Sequence, residues 1–161
     1  MSSPLLETTF SRIDRLIQAT DFFVTSWGDT DEALVVELEA AVGFSVPEDF
    51  RQFLLRYGNL NLGFVSIGGL GPIQGKPAAS GLTEERREEW PALPRDCLVL
   101  GEENTDLLAL RENGSVEWRT ESSRELDVFQ SYSSFTKFLE ACVDRATEEA
   151  RSMGHVSPDF S

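Results

Sequence analysis

The period of the apolar residues changes near Cys97, and this change restricts the possible folds more than any other feature of the sequence. Before Cys97, apolar residues recur mostly every three or four positions, and from Cys97 to about Gln130 the period changes to two. Helices produce the first pattern and half-buried strands the second. Asn113-Gly114 lies between two alternating runs and is the strongest short signal for a hairpin turn. Successive strands joined by such turns predict an antiparallel meander.

Four short runs are strand candidates, at residues 97–100, 106–111, 116–120 and 126–130. The run Phe64-Val65-Ser66-Ile67 indicates one further strand that leads into a glycine-rich loop. Helical spacing occurs on both sides of the strands, in the sets Phe10, Ile13, Leu16 and Ile17; Leu34, Leu38, Ala41 and Val42; Phe50, Phe53, Leu54 and Tyr57; and Phe135, Phe138, Leu139, Cys142, Val143 and Ala146. A short helix over residues 83–90, capped by Thr83, is also expected.

This order of elements predicts an α+β fold. Helices come first, sequential strands follow, and a long helix closes the chain, which is typical of domains that pack helices against a mostly antiparallel sheet. We expect a sheet of about four to six strands, with the helices from the N- and C-terminal ends of the chain packed against it.

The length and the cysteines indicate a single cytoplasmic domain. A chain of 161 residues corresponds to one domain, over residues 1–161. Within it we expect a helical N-terminal extension over about residues 1–28 and a frayed tail over about residues 152–161. No apolar run approaches the roughly 20 residues of a membrane span, and the first residues lack a signal-peptide pattern. Cys97 and Cys142 lie in apolar contexts, which is typical of buried free thiols in a reducing compartment.

The charge of the chain is strongly acidic. There are 28 Asp and Glu residues against 14 Lys and Arg residues, which gives a formal net charge of −14. Nucleic acids and anionic membranes are bound largely through Lys and Arg, so direct binding to either is disfavoured. Acidity also increases solubility, so the net charge alone does not indicate a binding role. Only the distribution of the carboxylates along the chain can distinguish a binding surface from a solubility function.

Few residues are suited to catalysis or to metal binding. His155 is the one histidine and lies in the expected tail, so neither a Ser-His-Asp nor a Cys-His arrangement is expected. With the two cysteines it provides three ligands, one fewer than a structural zinc site needs. Gly68-Gly69-Leu70-Gly71 lacks both the Lys-Ser/Thr of a phosphate-binding loop and the spacing of a dinucleotide fingerprint. We therefore expect no catalytic residue, no metal and no cofactor, and a protein that is not an enzyme.

Three segments of the sequence, by their order and spacing, resemble those of a known protein family. Residues 38–58 read LEAAVGFSVPEDFRQFLLRYG, a helix, a short apolar turn and a second helix that begins Pro-acidic-acidic-aromatic. Residues 93–110 contain a strand pair, and residues 134–139, SFTKFL, open the last helix. Over about residues 31–145 the chain resembles the SUKH superfamily of SMI/KNR-type proteins. The turn at residues 102–105 departs from it, because members often place glycines there.

The resemblance implies a binding role. Many bacterial members of the superfamily look like immunity proteins that neutralise polymorphic toxins, nucleases among them, whereas fungal members act as regulators or scaffolds. Two functions are therefore expected as alternatives. The first is an immunity protein that binds and occludes a cognate toxin, and the second is a regulatory or scaffold module that binds a host protein or, through its glycine-rich loop, a small ligand. A neighbouring toxin gene favours the first.

The acidic residues of the region between Leu82 and Asp127 point to a partner-binding surface. This region contains no lysine. Some of its charges form ordinary helix-surface pairs, such as Glu84 with Arg87. A nuclease toxin is nevertheless basic around its substrate site, and a carboxylate-rich face with aromatic anchors complements it. The expected partner is a basic protein toxin, and the candidate partner-binding residues are Glu84, Glu85, Glu88, Glu89, Trp90, Glu102, Glu103, Asp106 and Trp118.

Overall fold

The computed structural model describes residues 3–28, 30–72, 75, 78–122 and 125–161. Within these ranges the helices are α1 (Pro4–Ala19), α2 (Glu32–Val42), α3 (Glu48–Tyr57), α4 (Ala79–Glu89) and α5 (Phe135–Ser152). The strands are β1 (Thr25–Ser26), β2 (Leu60–Asn61), β3 (Ser66–Ile67), β4 (Cys97–Glu103), β5 (Asp106–Arg111), β6 (Val116–Ser122) and β7 (Glu125–Tyr132). The predicted α+β class is confirmed.

The larger sheet is the predicted antiparallel meander. Its four strands pair in chain order, β4-β5-β6-β7. The hairpin between β5 and β6 turns at Asn113-Gly114, as expected, with Gly114 at a φ of 98°. The side-chain oxygen of Asn113 accepts a hydrogen bond from the Ser115 amide at 2.9 Å, which closes the turn. The left-handed conformation that the turn requires explains the glycine.

A second, smaller sheet pairs β1, β2 and β3 antiparallel. Only β3 belongs to a run that the sequence singles out, because strands of two residues are too short to show alternation. The segment after β3 lies against β4, where the Gly68 amide donates to the Leu100 carbonyl at 2.6 Å. One outer edge of the larger sheet is therefore partly covered, and β7 forms its other edge.

The main core lies between one face of the larger sheet and the helices α1, α3 and α5. Its central aromatic rings pack edge to face, and the ring centroids of Phe50 and Phe135 are 5.0 Å apart. The apolar positions that the spacing predicts for α3 and α5 meet in this core, and the buried residues are Phe50, Phe53, Leu54, Phe135, Phe138 and Leu139. The packing of the helices from both ends of the chain against the sheet is thus confirmed.

The opposite face of the sheet is partly covered by α4. A separate apolar cluster lies between them, formed by Leu82, Leu93, Cys97, Val99, Leu107, Ala109 and Leu126, with Trp90 packed against it. Strands that are buried on both faces read as continuous apolar runs. Residues 97–100 and 107–110 are such runs, and all eight residues are buried.

Two details of the helices differ from the predictions. α4 begins at Ala79 and not at Thr83, which is buried inside the helix, where its hydroxyl donates to the Ala79 carbonyl at 2.6 Å and accepts from the Val99 amide at 2.8 Å. Docking onto β4 therefore determines the role of Thr83. α2 buries Val35, Leu38 and Val42 in place of the predicted Leu34 and Ala41, because its sequence is apolar around most of the helix and the spacing alone does not select a face.

Both chain ends contact the domain. In α1, Phe10 and Ile13 belong to the main core, and the Tyr57 hydroxyl donates to the Phe10 carbonyl at 3.1 Å. Beyond α5, the Arg151 Nε donates to the Phe160 carbonyl at 2.8 Å, and Phe160 packs against the main core. None of the helices described has the length and apolar character needed to cross a membrane.

Candidate partner-binding site

The turn between β4 and β5 holds two carboxylates opposite each other. Asn104 and Thr105 form a two-residue loop, with Asn104 at a φ of 55°, and Glu103 pairs with Asp106 across it. Paired residues of adjacent strands project to the same face, so the two negative charges lie side by side, an arrangement that destabilises a sheet. Within the described part of the chain, neither side chain has an ion-pair or hydrogen-bond partner.

These carboxylates lie at one end of an open cleft of about 330 Å³ between the larger sheet and α5. The cleft is lined by Phe64, Glu103, Asp106, Trp118, Phe129, Gln130, Tyr132, Phe138, Ala141, Cys142 and Arg145. Its volume is at the lower end of the range of ligand pockets, which is about 300–1,000 Å³. We call it the β-turn cleft.

Aromatic side chains form the walls of the β-turn cleft. A bulge between Trp118 and Arg119 leaves Phe129 without a partner on β6, and its side chain is 54% exposed. Tyr132 packs edge to face on Phe138, with 5.3 Å between ring centroids. Bulges redirect side chains at sheet edges, and this one leaves an aromatic ring open to solvent beside the cleft.

Two titratable groups of the cleft walls, Tyr132 and Cys142, have raised pKa values and are neutral near pH 7. Burial raises the pKa of Tyr132, which accepts a hydrogen bond from the Gln130 amide at 2.9 Å. Burial also raises the pKa of the Cys142 thiol to about 12. Arg145, at the rim of the cleft, is bonded to a residue outside the cleft lining, because its Nε donates to Glu149 at 3.1 Å. The guanidinium carbon of Arg145 lies 3.9 Å from the centroid of the Phe64 ring.

On the opposite face of the sheet, two carboxylates, Glu102 and Glu117, are paired with arginines. Glu102 accepts from the Arg86 Nε at 2.9 Å, and Arg86 also contacts Glu89. Glu117 is buried between Arg119 and Arg111, whose guanidinium lies 3.2 Å from it. Burial lowers the pKa of Arg86, but hydrogen bonds and attraction from the two carboxylates outweigh this effect, and the pKa rises. These pairs hold α4 and the strands together.

The structure divides the nine candidate residues between two faces of the sheet. Glu103, Asp106 and Trp118 line the β-turn cleft. The other six belong to the α4 side: Glu102 and Glu89 contact Arg86, Trp90 packs on the smaller core, Glu84 and Glu88 line an open groove of about 740 Å³ between α2 and α4, and Glu85 is exposed. Successive residues of a strand face opposite sides, and this alternation separates Glu102 from Glu103.

Several lining residues are not among the sequence candidates. Phe129 and Tyr132 lie in a predicted strand, and an aromatic residue in an edge strand with polar neighbours could have indicated an exposed anchor. Phe64 and Arg145 meet only in the folded chain, because the β2–β3 loop crosses to α5. No local sequence pattern predicts the contact between Phe64 and Arg145.

The glycine-rich segment is filled by side chains of the domain itself. A Cβ at Gly58 would lie 2.7 Å from the Trp27 ring, and the same ring blocks Gly71. The buried Asn59 holds this segment by accepting from the Gly71 amide at 3.2 Å. Close packing therefore explains these glycines. In the ranges described, no three His, Cys, Asp or Glu residues are placed to hold a metal ion together.

Comparison with models of known protein families gives a match for this chain. The model of the SMI1 / KNR4 family (SUKH-1) matches residues 29–141, well over half of the chain. The chain belongs to the SMI1/KNR4 family. The SUKH resemblance is thus confirmed, and the SUKH-1 segment contains the whole larger sheet and all residues of the β-turn cleft except Cys142 and Arg145. Membership in this family is consistent with an immunity-type binding protein.

A solved structure shares the fold. The crystal structure of a protein from Pseudomonas syringae pv. tomato superposes with a TM-score of 0.62 and 19% sequence identity, over 80% of this chain and 93% of that chain. At this identity the likeness shows a shared fold and nothing about function. No curated protein sequence matches the chain.

Proposed function

We propose that this chain is a non-enzymatic immunity protein that neutralises a cognate toxin by binding and occluding it. Membership in the SMI1/KNR4 family is the observation that carries the proposal. The chain acts as one SUKH-like domain in the cytoplasm, where Cys97 and Cys142 remain free, buried thiols.

The partner is a basic protein, with nuclease toxins as the leading class. A nuclease needs positive charge around the site that binds nucleic-acid phosphates. A chain with a net charge of −14 attracts such a surface over long range, and carboxylates can occupy the positions of the phosphates. The same charge disfavours direct binding of nucleic acid or membranes.

The two faces of the sheet have different parts in this function. Glu103, Asp106 and Trp118 contact the toxin, because they are accessible in the β-turn cleft and no cation among the described residues pairs with the two carboxylates. The exposed acids of α4, among them Glu84 and Glu88, add to the long-range field. Trp90 and Glu102 serve mainly to hold α4 on the sheet.

Co-expression tests the proposal. The candidate toxin is the product of the gene next to the one for this chain. Expressed alone, that product should stop growth, and co-expression of this chain should restore it. Purified toxin should lose its activity as the chain approaches one equivalent, since an occluding protein does not turn over.

Two results would contradict the proposal. A neighbouring product that is harmless, or that stays toxic although the chain is folded and abundant, would remove the immunity function. Full protection by a small fraction of an equivalent would instead show an enzymatic inhibitor. The regulatory alternative has less support, because the glycines on which its small-ligand version depends pack against Trp27.

A further inference from the structure

We infer that the β-turn cleft is the binding site for an arginine side chain of the partner protein. This inference rests on the proposed function in that the partner is taken to be a basic protein. It goes further by naming the pocket, the chemical group that enters it and the residues that hold that group.

The carboxylate pair at the end of the cleft has no cationic partner in the part of the chain that the structure describes. Glu103 and Asp106 are cross-strand partners on the same face, and in the described residues neither one meets an arginine or a lysine. Two carboxylates on the opposite face of the sheet do have such a partner, as Glu102 has Arg86 and Glu117 has Arg111. A guanidinium between Glu103 and Asp106 relieves their repulsion and forms charge-assisted hydrogen bonds with both.

The aromatic walls suit a guanidinium more than an ammonium group. Trp118, Phe129 and Tyr132 offer ring surface in the same cleft as the carboxylates, and Phe129 is 54% exposed. A guanidinium is planar, stacks on rings and is weakly hydrated, whereas an ammonium is compact and strongly hydrated. The same chain already shows the contact, because the Arg145 guanidinium covers Phe64 at the rim with 3.9 Å between its carbon atom and the ring centroid.

Charge decides which occupant fits. A second copy of this chain would bring another net charge of −14 to the same surface, and a phosphate or nucleic acid would be repelled by the two carboxylates. Arg145 also lines the cleft, but it stacks on Phe64 and bonds Glu149, and none of the ion pairs among the described residues joins it to Glu103 or Asp106. A basic segment of a partner protein is the complementary occupant, and the cleft volume of about 330 Å³ accommodates one long side chain.

The test is a titration of the full ¹⁵N-labelled chain with the tripeptide acetyl-Gly-Arg-Gly-amide, followed by NMR. The indole N–H signal of Trp118, assigned with Trp118→Phe, reports binding at the cleft. We expect this signal to shift with the arginine peptide, to shift less with the lysine peptide, and to stay unchanged with the citrulline peptide, which has nearly the same shape and no charge.

Two double variants with equal charge change separate the pocket from the general field. Glu103→Gln with Asp106→Asn should weaken binding by about tenfold or more, because two charge-assisted hydrogen bonds are lost. Glu37→Gln with Glu112→Gln is the matched control, since both residues are exposed and lie outside the cleft, and it should change the affinity by less than about twofold. Phe129→Ala should weaken binding while the rest of the spectrum confirms the fold.

Three results would overturn the inference. They are equal losses in the two double variants, equal binding of the citrulline peptide, and peptide-induced shifts confined to another surface. The titration contains no toxin, so its failure leaves the co-expression result untouched. If the arginine peptide binds the cleft but the neighbouring product is not neutralised, the arginine site is supported and the immunity function is contradicted.

Discussion

The two faces of the larger sheet use the same residue types in opposite ways. On the α4 side, Glu102 and Glu117 are at least partly buried and contact arginines, and the aromatic Trp90 packs on a core. On the side of the β-turn cleft, Glu103 and Asp106 face each other without a cation in the described residues, and Phe129 is open to solvent. Net charge and aromatic content alone therefore do not distinguish the two faces, whereas the adjacent pair of carboxylates and the exposed ring do.

The largest expected difference is between a core ring and a cleft ring. Phe53→Ala should lower the free energy of unfolding by about 3–5 kcal/mol, because Phe53 is fully buried among Phe50, Tyr57 and Phe135. Phe129→Ala makes the same chemical change at an exposed position and should stay within about 0.5 kcal/mol. Urea denaturation of both variants measures this. A large loss with Phe129→Ala would show that the cleft wall is part of the core.

The second difference concerns carboxylates. Glu117→Ala should lower the free energy of unfolding by about 2–3 kcal/mol, because Arg111 and Arg119 lose the anion between them in a site that is mostly shielded from water. Asp106→Ala should stay within about 0.5 kcal/mol, since it also removes a repulsion. The same denaturation series measures both. Equal losses would mean that the two faces hold their charges alike.

The third test compares the kinetics of toxin binding. Glu103→Gln with Asp106→Asn should slow association, flatten its dependence on salt and speed dissociation, because these residues both steer and anchor. Neutralising Glu84, Glu85, Glu88 and Glu89 of α4 should affect association alone. Stopped-flow or surface-based kinetics at several ionic strengths would show it. If the association rate of the parent protein does not depend on salt, the acidity contributes to solubility and not to toxin binding.

The smallest expected signal comes from the two thiols. Burial raises the pKa of Cys97 to about 11 and that of Cys142 to about 12, from an ordinary 9.0. At pH 8 the folded chain should therefore react with iodoacetamide at least about a hundredfold more slowly than the unfolded chain, because the thiolate is the reactive form. The rate should rise only as the pH approaches 11 to 12. Rapid labelling of Cys142 alone, read by mass spectrometry, would show that the β-turn cleft opens further toward α5.

Local patterns predicted the parts of the fold that depend on local physics. The alternation after Cys97 and the turn at Asn113-Gly114 specify the meander, and the stripe of α5 specifies the main core. The start of α4 was predicted wrongly because Gly81 is a poor helix former and the docking of Thr83 on Val99 is a tertiary contact.

The site was predicted less completely, and for a physical reason. Strand alternation alone separates Glu102 from Glu103, so the division of the acids between two faces was available from the sequence. The contact of Phe64 with Arg145 joins segments about half the chain apart and needs the folded structure. The bulge beside Trp118 that exposes Phe129 shifts the register by one residue and leaves no clear signal in the alternating pattern.

The two-residue loop of Asn104 and Thr105 has a consequence for how such a protein can diversify. Both loop residues are exposed, and the carboxylates that flank them belong to neither core. Substitutions at these four positions should therefore leave the packing of both cores unchanged, apart from the restriction that the positive φ places on Asn104. Under the proposed function, a lineage that meets a new toxin would adjust its specificity at one tight turn without rebuilding the layers beneath it.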